Sequence, residues 1–318
     1  MRGGATPKIL RALQDLVRDD TAGDPVTGVH WTHRSLRKLC KALRRQGVRL
    51  SLHTIARLLR HMRYSLRTCR KLKAGIRNPD RDRQFRYLTR LRKLFISRGW
   101  AVISVDTKKK EWVGNFKNAG VCWRRKAREV LDHDYPTWAL GRAIPVGVYD
   151  IFRNDGYVVV GTSHDTPTFA VTAIRRWWLE VGRHRYGKDQ LLIEADSGGA
   201  NDHRKWEWKL ALQGLADEFG LRITVTHLPP GASKWNPIDH RMFSLISANW
   251  AGEPLESYET IVKHIRATRS SEGFHCRACL DRQEYEARHA ATAEEKASIR
   301  LKRRRIFPSW NYTISPHR

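Results

Sequence analysis

Acidic residues are scarce in this sequence. Only 32 Asp and Glu stand against 60 Lys and Arg, which leaves 60 − 32 = +28 over 318 residues and a pI near 10.5. That excess goes beyond what solubility needs and points to a polyanionic partner. Long apolar runs are also missing. No stretch reaches the roughly 18 apolar residues that cross a bilayer, and no amphipathic segment presents the single basic face of a membrane-surface helix. A lipid surface is therefore not the expected polyanion, and nucleic acid is. Met1 to Pro7 holds no apolar stretch of signal-peptide type, so the chain is expected to be cytoplasmic. The five cysteines, an odd number, suit a reducing compartment. Cys276 and Cys279 have the spacing of half a zinc knuckle, but no second CxxC or HxxxH completes four ligands, so structural zinc is not expected. There is no internal repeat.

A hydrophobic fraction of 41% fits a folded chain, and the length suggests two domains, one small and one large. Leu36, Leu39, Cys40 and Leu43 recur at i, i+3, i+4 and i+7, the buried face of a helix that Gly47 ends. Ser51 is placed to cap a second helix that buries Ile55, Leu58 and Leu59. Two short helices across a glycine-containing turn predict a helix-turn-helix. In that motif Ser51, His53 and Thr54 face base edges while Arg57 and Arg60 reach phosphates. A basic helical hairpin with no sequence preference fits the same residues. The expected division is a DNA-binding region over 1–66, a basic connector over 67–99, a catalytic core over 100–252 and a basic helical extension over 253–318.

From about Trp100 the pattern changes to β-type runs at Ala101–Val105, Ala143–Phe152 and Gly156–Gly161, the last two joined through Asn154-Asp155-Gly156 as a hairpin. A helix is expected over Thr168–Val181, a strand over Gln190–Ala195, a helix from about Arg204 to Phe219, a strand over Arg222–His227 and a helix from about Pro237. The fold class is α/β: a mixed sheet flanked by helices, with an antiparallel first part and later strands joined by helical crossovers.

Three acids occupy telling places in that order. Asp106 follows the apolar run Val102–Val105, and Asp196 follows Leu191–Ala195 and precedes Ser197-Gly198-Gly199. Asp239 sits beside Pro237 at the start of a predicted helix. Each has a plain alternative role: Asp239 as a helix cap, Asp196 as a partner for the amides of its glycine turn. Jointly, in so basic a chain, they make an oxygen-rich set suited to Mg²⁺ or Mn²⁺, most simply as a pair of ions acting on phosphodiesters. Lys108, Lys109, Lys110, Lys234, His240 and Arg241 stand beside these acids as candidate phosphate contacts, and Asn201 and Asn236 as groups that orient ligands or water. The 12 tryptophans, among them Trp123, Trp177, Trp178, Trp206 and Trp208, fit core packing better than base stacking.

The segments SVDTKKKEWVGNFKNAG (104–120), AIPVGVYDIF (143–152), ADSGGAN (195–201), HLPPGASKWNPIDHRMFS (227–244) and WNYTI (310–314) resemble the ISAzo-type DDE transposases of bacterial insertion sequences. The resemblance runs from about Trp31 to Ile314. It implies a ribonuclease H-like catalytic fold, with the family's three acids falling on Asp106, Asp196 and Asp239. The third is usually Glu in that family. The resemblance also implies an additional N-terminal helix-turn-helix segment, which this chain is expected to lack. It implies double-stranded DNA partners, namely the element's terminal inverted repeats and the target, a homo-oligomer on DNA, and a place at the bacterial nucleoid. Two other functions fit the same residues: a ribonuclease H-fold nuclease or resolvase that cuts without joining, and an inactive descendant that only binds DNA.

Overall fold

The computed structural model describes residues 7–19, 21–23, 30–32, 35–65, 79–187, 189–286 and 290–317. The chain divides into two compact units, Met1–Lys73 and Ala74–Arg318.

The first unit holds α1 (Pro7–Asp19), the short antiparallel pair β1 (Thr21–Gly23) and β2 (His30–Thr32), α2 (Leu36–Arg45) and α3 (Leu52–His61). Ser35 and Ser51 cap α2 and α3 by accepting the amides of Lys38 and Thr54, and Gly47 takes the left-handed φ of +78° that ends α2. The core is the expected one, Leu39, Cys40, Leu43, Ile55 and Leu58, with Leu13, Leu16 and Val17 of α1 added to it. The helix pair alone would leave that apolar face half covered, and α1 supplies the cover.

In the second unit the stretch read as a connector is partly a helix. Residues 66–78 lie outside the described residues, but α4 (Arg81–Ser97) buries Gln84, Leu88, Leu91 and Phe95. Its arginine content masks that apolar period. There follow β3 (Ala101–Thr107), β4 (Glu111–Val113), β5 (Gly141–Asp150), β6 (Asp155–Gly161), α5 (Pro167–Trp177), a π-helical turn over Trp178–Gly182, α6 (Arg183–Tyr186), β7 (Gln190–Ala195), α7 (Trp206–Phe219) and β8 (Arg222–His227). A second π-helical turn over Asp239–Phe243 then leads into α8 (Ser244–Asn249).

With β9 (His275–Asp281), β10 (Leu301–Arg303) and β11 (Asn311–Ile314), the sheet order is β10-β11-β8-β7-β3-β5-β6-β9, with β4 on β5. At its centre β3, β5 and β6 form an antiparallel meander, while β7 and β8 run parallel to β3. This is the ribonuclease H-like arrangement. Residues Ala101 to Val105 are fully buried, as a central strand covered on both faces requires. One face packs on α5 and α7 through Ile103, Val105, Val146, Val148, Phe169, Trp177 and Trp208; the other packs on the helices after Pro237 through Tyr149, Val158, Met242 and Phe243.

The segment 253–318 corrects the sequence reading. It is not a helical extension. It carries α9 (Tyr258–Ala267), β9 (His275–Asp281), α10 (Ala293–Ser298), β10 (Leu301–Arg303) and β11 (Asn311–Ile314). β9 adds parallel to β6 at one edge, and β11 adds antiparallel to β8 with β10 outside it at the other, so this segment completes the sheet. β9 alternates buried and exposed residues and carries His275, Cys276, Arg277 and Cys279, and β11 is only four residues long, so neither shows a continuous apolar run. Cys276 and Cys279 lie on β9 and pack into opposite faces, so they do not form a common metal pair. Among the described residues no helix is long and apolar enough to cross a membrane.

Candidate active site

Asp106 is the penultimate residue of β3, and its register partner on β5 is Gly147. A side chain at Gly147 would collide with Met242 and Phe243: an added Cβ would stand 2.3 Å from Met242 Cε and 2.6 Å from Phe243 Cε1. The bare glycine therefore lets the helix that begins at Asp239 settle on the sheet directly across from Asp106. Asp196 follows the last residue of β7, which runs parallel beside β3. Adjacent parallel strand ends and one closely packed helix thus bring the three predicted acids to one end of the sheet.

The charges respond to each other. Burial pushes the Asp106 carboxyl well above the usual carboxylate range, and the negative charges of Asp196, Asp239 and Asp165 push it further. Asp196 is raised to about 6, first by burial, with contributions from Asp239, Asp202 and Asp165, against a Gly198 amide that favours the ion. Burial raises Asp239 as well, offset by His240. Asp106 is held on both oxygens: Oδ1 accepts the Thr107 amide at 2.7 Å and Oδ2 accepts Asn236 Nδ2 at 2.7 Å. Asn236 is fully buried and accepts Ser104 Oγ at 3.0 Å. Asn236 thus bridges Ser104 and Asp106, whereas Asn201 ties its amide to the Val105 carbonyl at 3.0 Å and steadies the strand end. Directly beneath, Arg92 forks onto the buried Glu194 at 2.7 and 2.5 Å, so the one acid inside β7 is neutralised and is not part of the cleft.

The cleft, of about 350 Å³, is lined by Asp106, Asp196, Gly198, Gly199, Lys109, Lys110 and two residues that sequence reading missed, Arg142 and Asp165. Asp165 accepts Thr107 Oγ1 at 3.0 Å and pairs with Lys110 Nζ at 3.1 Å. No local signal marks Asp165, which lies in a loop before α5; only the β3 register reveals it. Arg142 stacks on Trp112 with its guanidinium 4.9 Å from the ring centre.

Of the predicted phosphate contacts, Lys108, Lys109 and Lys110 all line the cleft, and Lys109 is exposed. Lys108 differs from the other two in its surroundings. It is buried, bonded to Glu111 at 2.9 Å and set 4.5 Å over Trp250, and that burial lowers its pKa. Lys234 is exposed beside Trp235, its carbonyl meets the His240 ring, and Arg241 lies against the Tyr149 hydroxyl. In the first unit His53, Arg57 and Arg60 are exposed. The Ser51 and Thr54 hydroxyls bond each other at 2.9 Å, so both serve the cap. Trp177, Trp178 and Trp208 are buried and Trp206 packs against the same core, whereas Trp123 is fully exposed.

A second basic feature was hidden in the connector. Arg83, Arg86 and Arg90 project from one face of α4 and, with Tyr87 and Ile306, line a groove of about 240 Å³. On the same helix Arg81 stacks on Trp235 at 5.1 Å.

The donor set suits a hard divalent cation. It is all carboxylate oxygen, and like charges help to hold the Asp106 and Asp196 pKa values up. Among the described residues no three His, Cys, Asp or Glu side chains close around a single point.

A profile of the Rhodopirellula transposase DDE domain matches residues 12–316. No curated protein matches the chain. Among solved structures, the Mos1 transposase paired-end complex with left transposon end is similar at 13% identity and a TM-score of 0.43, over 83% of this chain and 72% of that one. The mariner Mos1 paired end complex with Mg is similar at 14% identity and a TM-score of 0.44, over the same shares.

Proposed function

The chain belongs to the transposase DDE family whose profile it matches from residue 12 to residue 316, and from that membership we propose a metal-dependent DNA transposase with Asp106, Asp196 and Asp239 as its catalytic acids. The observation that supports this assignment is that Asp106 and Asp196, at the ends of adjacent parallel strands, line one cleft, with the charge of Asp239 near enough to raise both carboxyls. Mg²⁺ or Mn²⁺, most simply two ions, would be held by these three side chains and would offset the charge that builds on the phosphate during in-line displacement.

The reaction has two parts. A water oxygen attacks phosphorus at the element's end and the P–O3′ bond breaks, leaving a 3′-hydroxyl and a 5′-phosphate. That hydroxyl then attacks a target phosphorus, forming one phosphodiester as another breaks, so no external energy source is required. Asn236 holds Asp106 in place through both parts. Lys109, Lys110 and Arg142 line the cleft and serve as contacts for phosphate oxygens. His53, Arg57 and Arg60 face the element's terminal repeats, while the arginine groove on α4 takes a DNA backbone. Two ends must be cut and joined together, so a homo-oligomer assembles on DNA, in the cytoplasm at the nucleoid.

The test is a labelled duplex carrying an element end, incubated with a target plasmid and Mg²⁺, Mn²⁺ or a chelator. Nicked ends and end–plasmid products that vanish with chelator are expected. Nicking without joining would assign the chain to nucleases, and binding without nicking would make it a DNA-binding protein only.

A further inference from the structure

We infer that Trp208, Tyr312 and His227 are positioning residues for this chemistry: they form a hydrogen-bonded relay that fixes the backbone of Asp196 and so aims its carboxylate into the cleft. The inference rests on the assignment of Asp196 as a metal ligand.

Asp196 stands one residue beyond β7, and the ladder between β7 and β8 ends at the pair Ala195 and His227. Its carbonyl therefore has no strand partner. The His227 ring replaces one, with Nδ1 2.8 Å from the Asp196 carbonyl oxygen. On the other side of the ring, His227 Nε2 lies 3.0 Å from the Tyr312 hydroxyl, and Tyr312 in turn accepts Trp208 Nε1–H at 3.0 Å.

The chemistry of the two ends fixes the direction of every bond. A carbonyl only accepts, so Nδ1 carries the hydrogen. An indole N–H only donates, so the Tyr312 hydroxyl accepts from Trp208 and passes its own hydrogen to a bare Nε2. The ring is then neutral and locked in one tautomer. All three relay side chains are fully buried, so water cannot substitute for a lost member.

His227 is itself anchored. Its amide donates to the Trp310 carbonyl at 2.9 Å and its carbonyl accepts Gln84 Nε2 at 2.8 Å. Gln84 and Asn311 exchange amide bonds at 2.9 and 2.8 Å. The terminal strand β11 and helix α4 thus both end their polar contacts on the residue that holds Asp196. This gives the WNYTI segment, far from the acids in sequence, a reason to exist.

The experiment uses the full chain and Mn²⁺ as probe, with binding followed by calorimetry and melting measured on the same samples without metal. Tyr312→Phe removes one oxygen, strands Trp208 Nε1–H and leaves His227 Nε2 without its donor, so only the Asp196 carbonyl still holds the ring; about tenfold weaker Mn²⁺ binding is expected. His227→Leu is expected to lose at least as much. His227→Asn puts an amide N–H where Nδ1 stood, and most of the affinity is expected to survive. Trp177→Phe, in the same core but outside the relay, is expected to lower the melting temperature and leave Mn²⁺ binding unchanged.

Long-range ¹H–¹⁵N spectra of the metal-free protein read the ring directly, with a protonated Nδ1 and a bare Nε2 expected. Tyr312→Phe binding Mn²⁺ like the unsubstituted chain, or an Nε2-protonated ring, would overturn the relay. Should His227→Leu fail to fold, Tyr312→Phe and the spectra still decide. Absence of Mn²⁺ binding by the unsubstituted chain would instead overturn the metal-site assignment on which the relay depends.

Discussion

Replacing Asp196 by Asn should make the metal-free protein more stable while removing its activity. The Asp196 carboxyl titrates at about 6 in the fold against an ordinary 3.8, so the ionised form is disfavoured there by about 2 pH units. At ~1.4 kcal/mol per unit this is about 3 kcal/mol, which partial contact with water reduces to roughly 1–2 kcal/mol. The sign follows from proton linkage. The folded state holds the proton more tightly than the unfolded chain, so the cost is absent below about pH 4, accumulates as pH rises, and is complete above about pH 6. Asn keeps the shape, loses the charge and relieves Asp106 as well. The expected gain at pH 8 is therefore about 2–8 °C in melting temperature for a unit of this size, shrinking toward zero near pH 4.5. Thermal melts at the two pH values, with chelator and then with Mg²⁺, read the effect. Mg²⁺ should raise the unsubstituted chain more than the variant, because binding to the folded state alone stabilises it. A variant less stable than the unsubstituted chain at pH 8, or a gain of equal size at both pH values, would refute the reasoning.

Asn236→Ala takes away the amide that holds Asp106 Oδ2, and it should lower cleavage about 10–100-fold at unchanged DNA binding, read by single-turnover rates. Arg92→Met leaves Glu194 buried without its partner. It should cost about 3–5 kcal/mol in denaturant unfolding at pH 8 and less at pH 5, where the burial-raised Glu194 takes up a proton more readily. Joint replacement of Arg83, Arg86 and Arg90 by Gln should reduce the salt dependence of DNA binding by roughly 0.9 per lost phosphate contact, equally on end and random sequences, in anisotropy titrations. An unchanged slope would remove the α4 groove from the DNA path.

The central elements were legible because their burial leaves a strong mark on sequence. β7 and β8 fall where the apolar runs placed them, and the hairpin between β5 and β6 turns at Asn154, which takes a left-handed φ of +55°. The placing of Asp106 and Asp196 at strand ends was legible for the same reason. What sequence could not supply was register. Gly147 opposite Asp106, Asp165 beside Thr107 and His227 behind Asp196 come to notice only once strands are paired. The edge strand β9 was missed because a half-exposed strand tolerates Arg, His and Cys, β11 because it is only four residues long, and α4 because its arginines obscured a buried face holding Gln84, Leu88, Leu91 and Phe95. The burial of Lys108 and its pairing with Glu111 left no mark on the sequence either.

The most direct test of the account is Mg²⁺-dependent nicking of a labelled element end by the unsubstituted chain and by Asp106→Asn, Asp196→Asn and Asp239→Asn, each at saturating DNA occupancy. Loss of nicking in all three, with DNA binding retained, is predicted. Full nicking by any one of them would contradict the assignment of that acid and with it the three-carboxylate site.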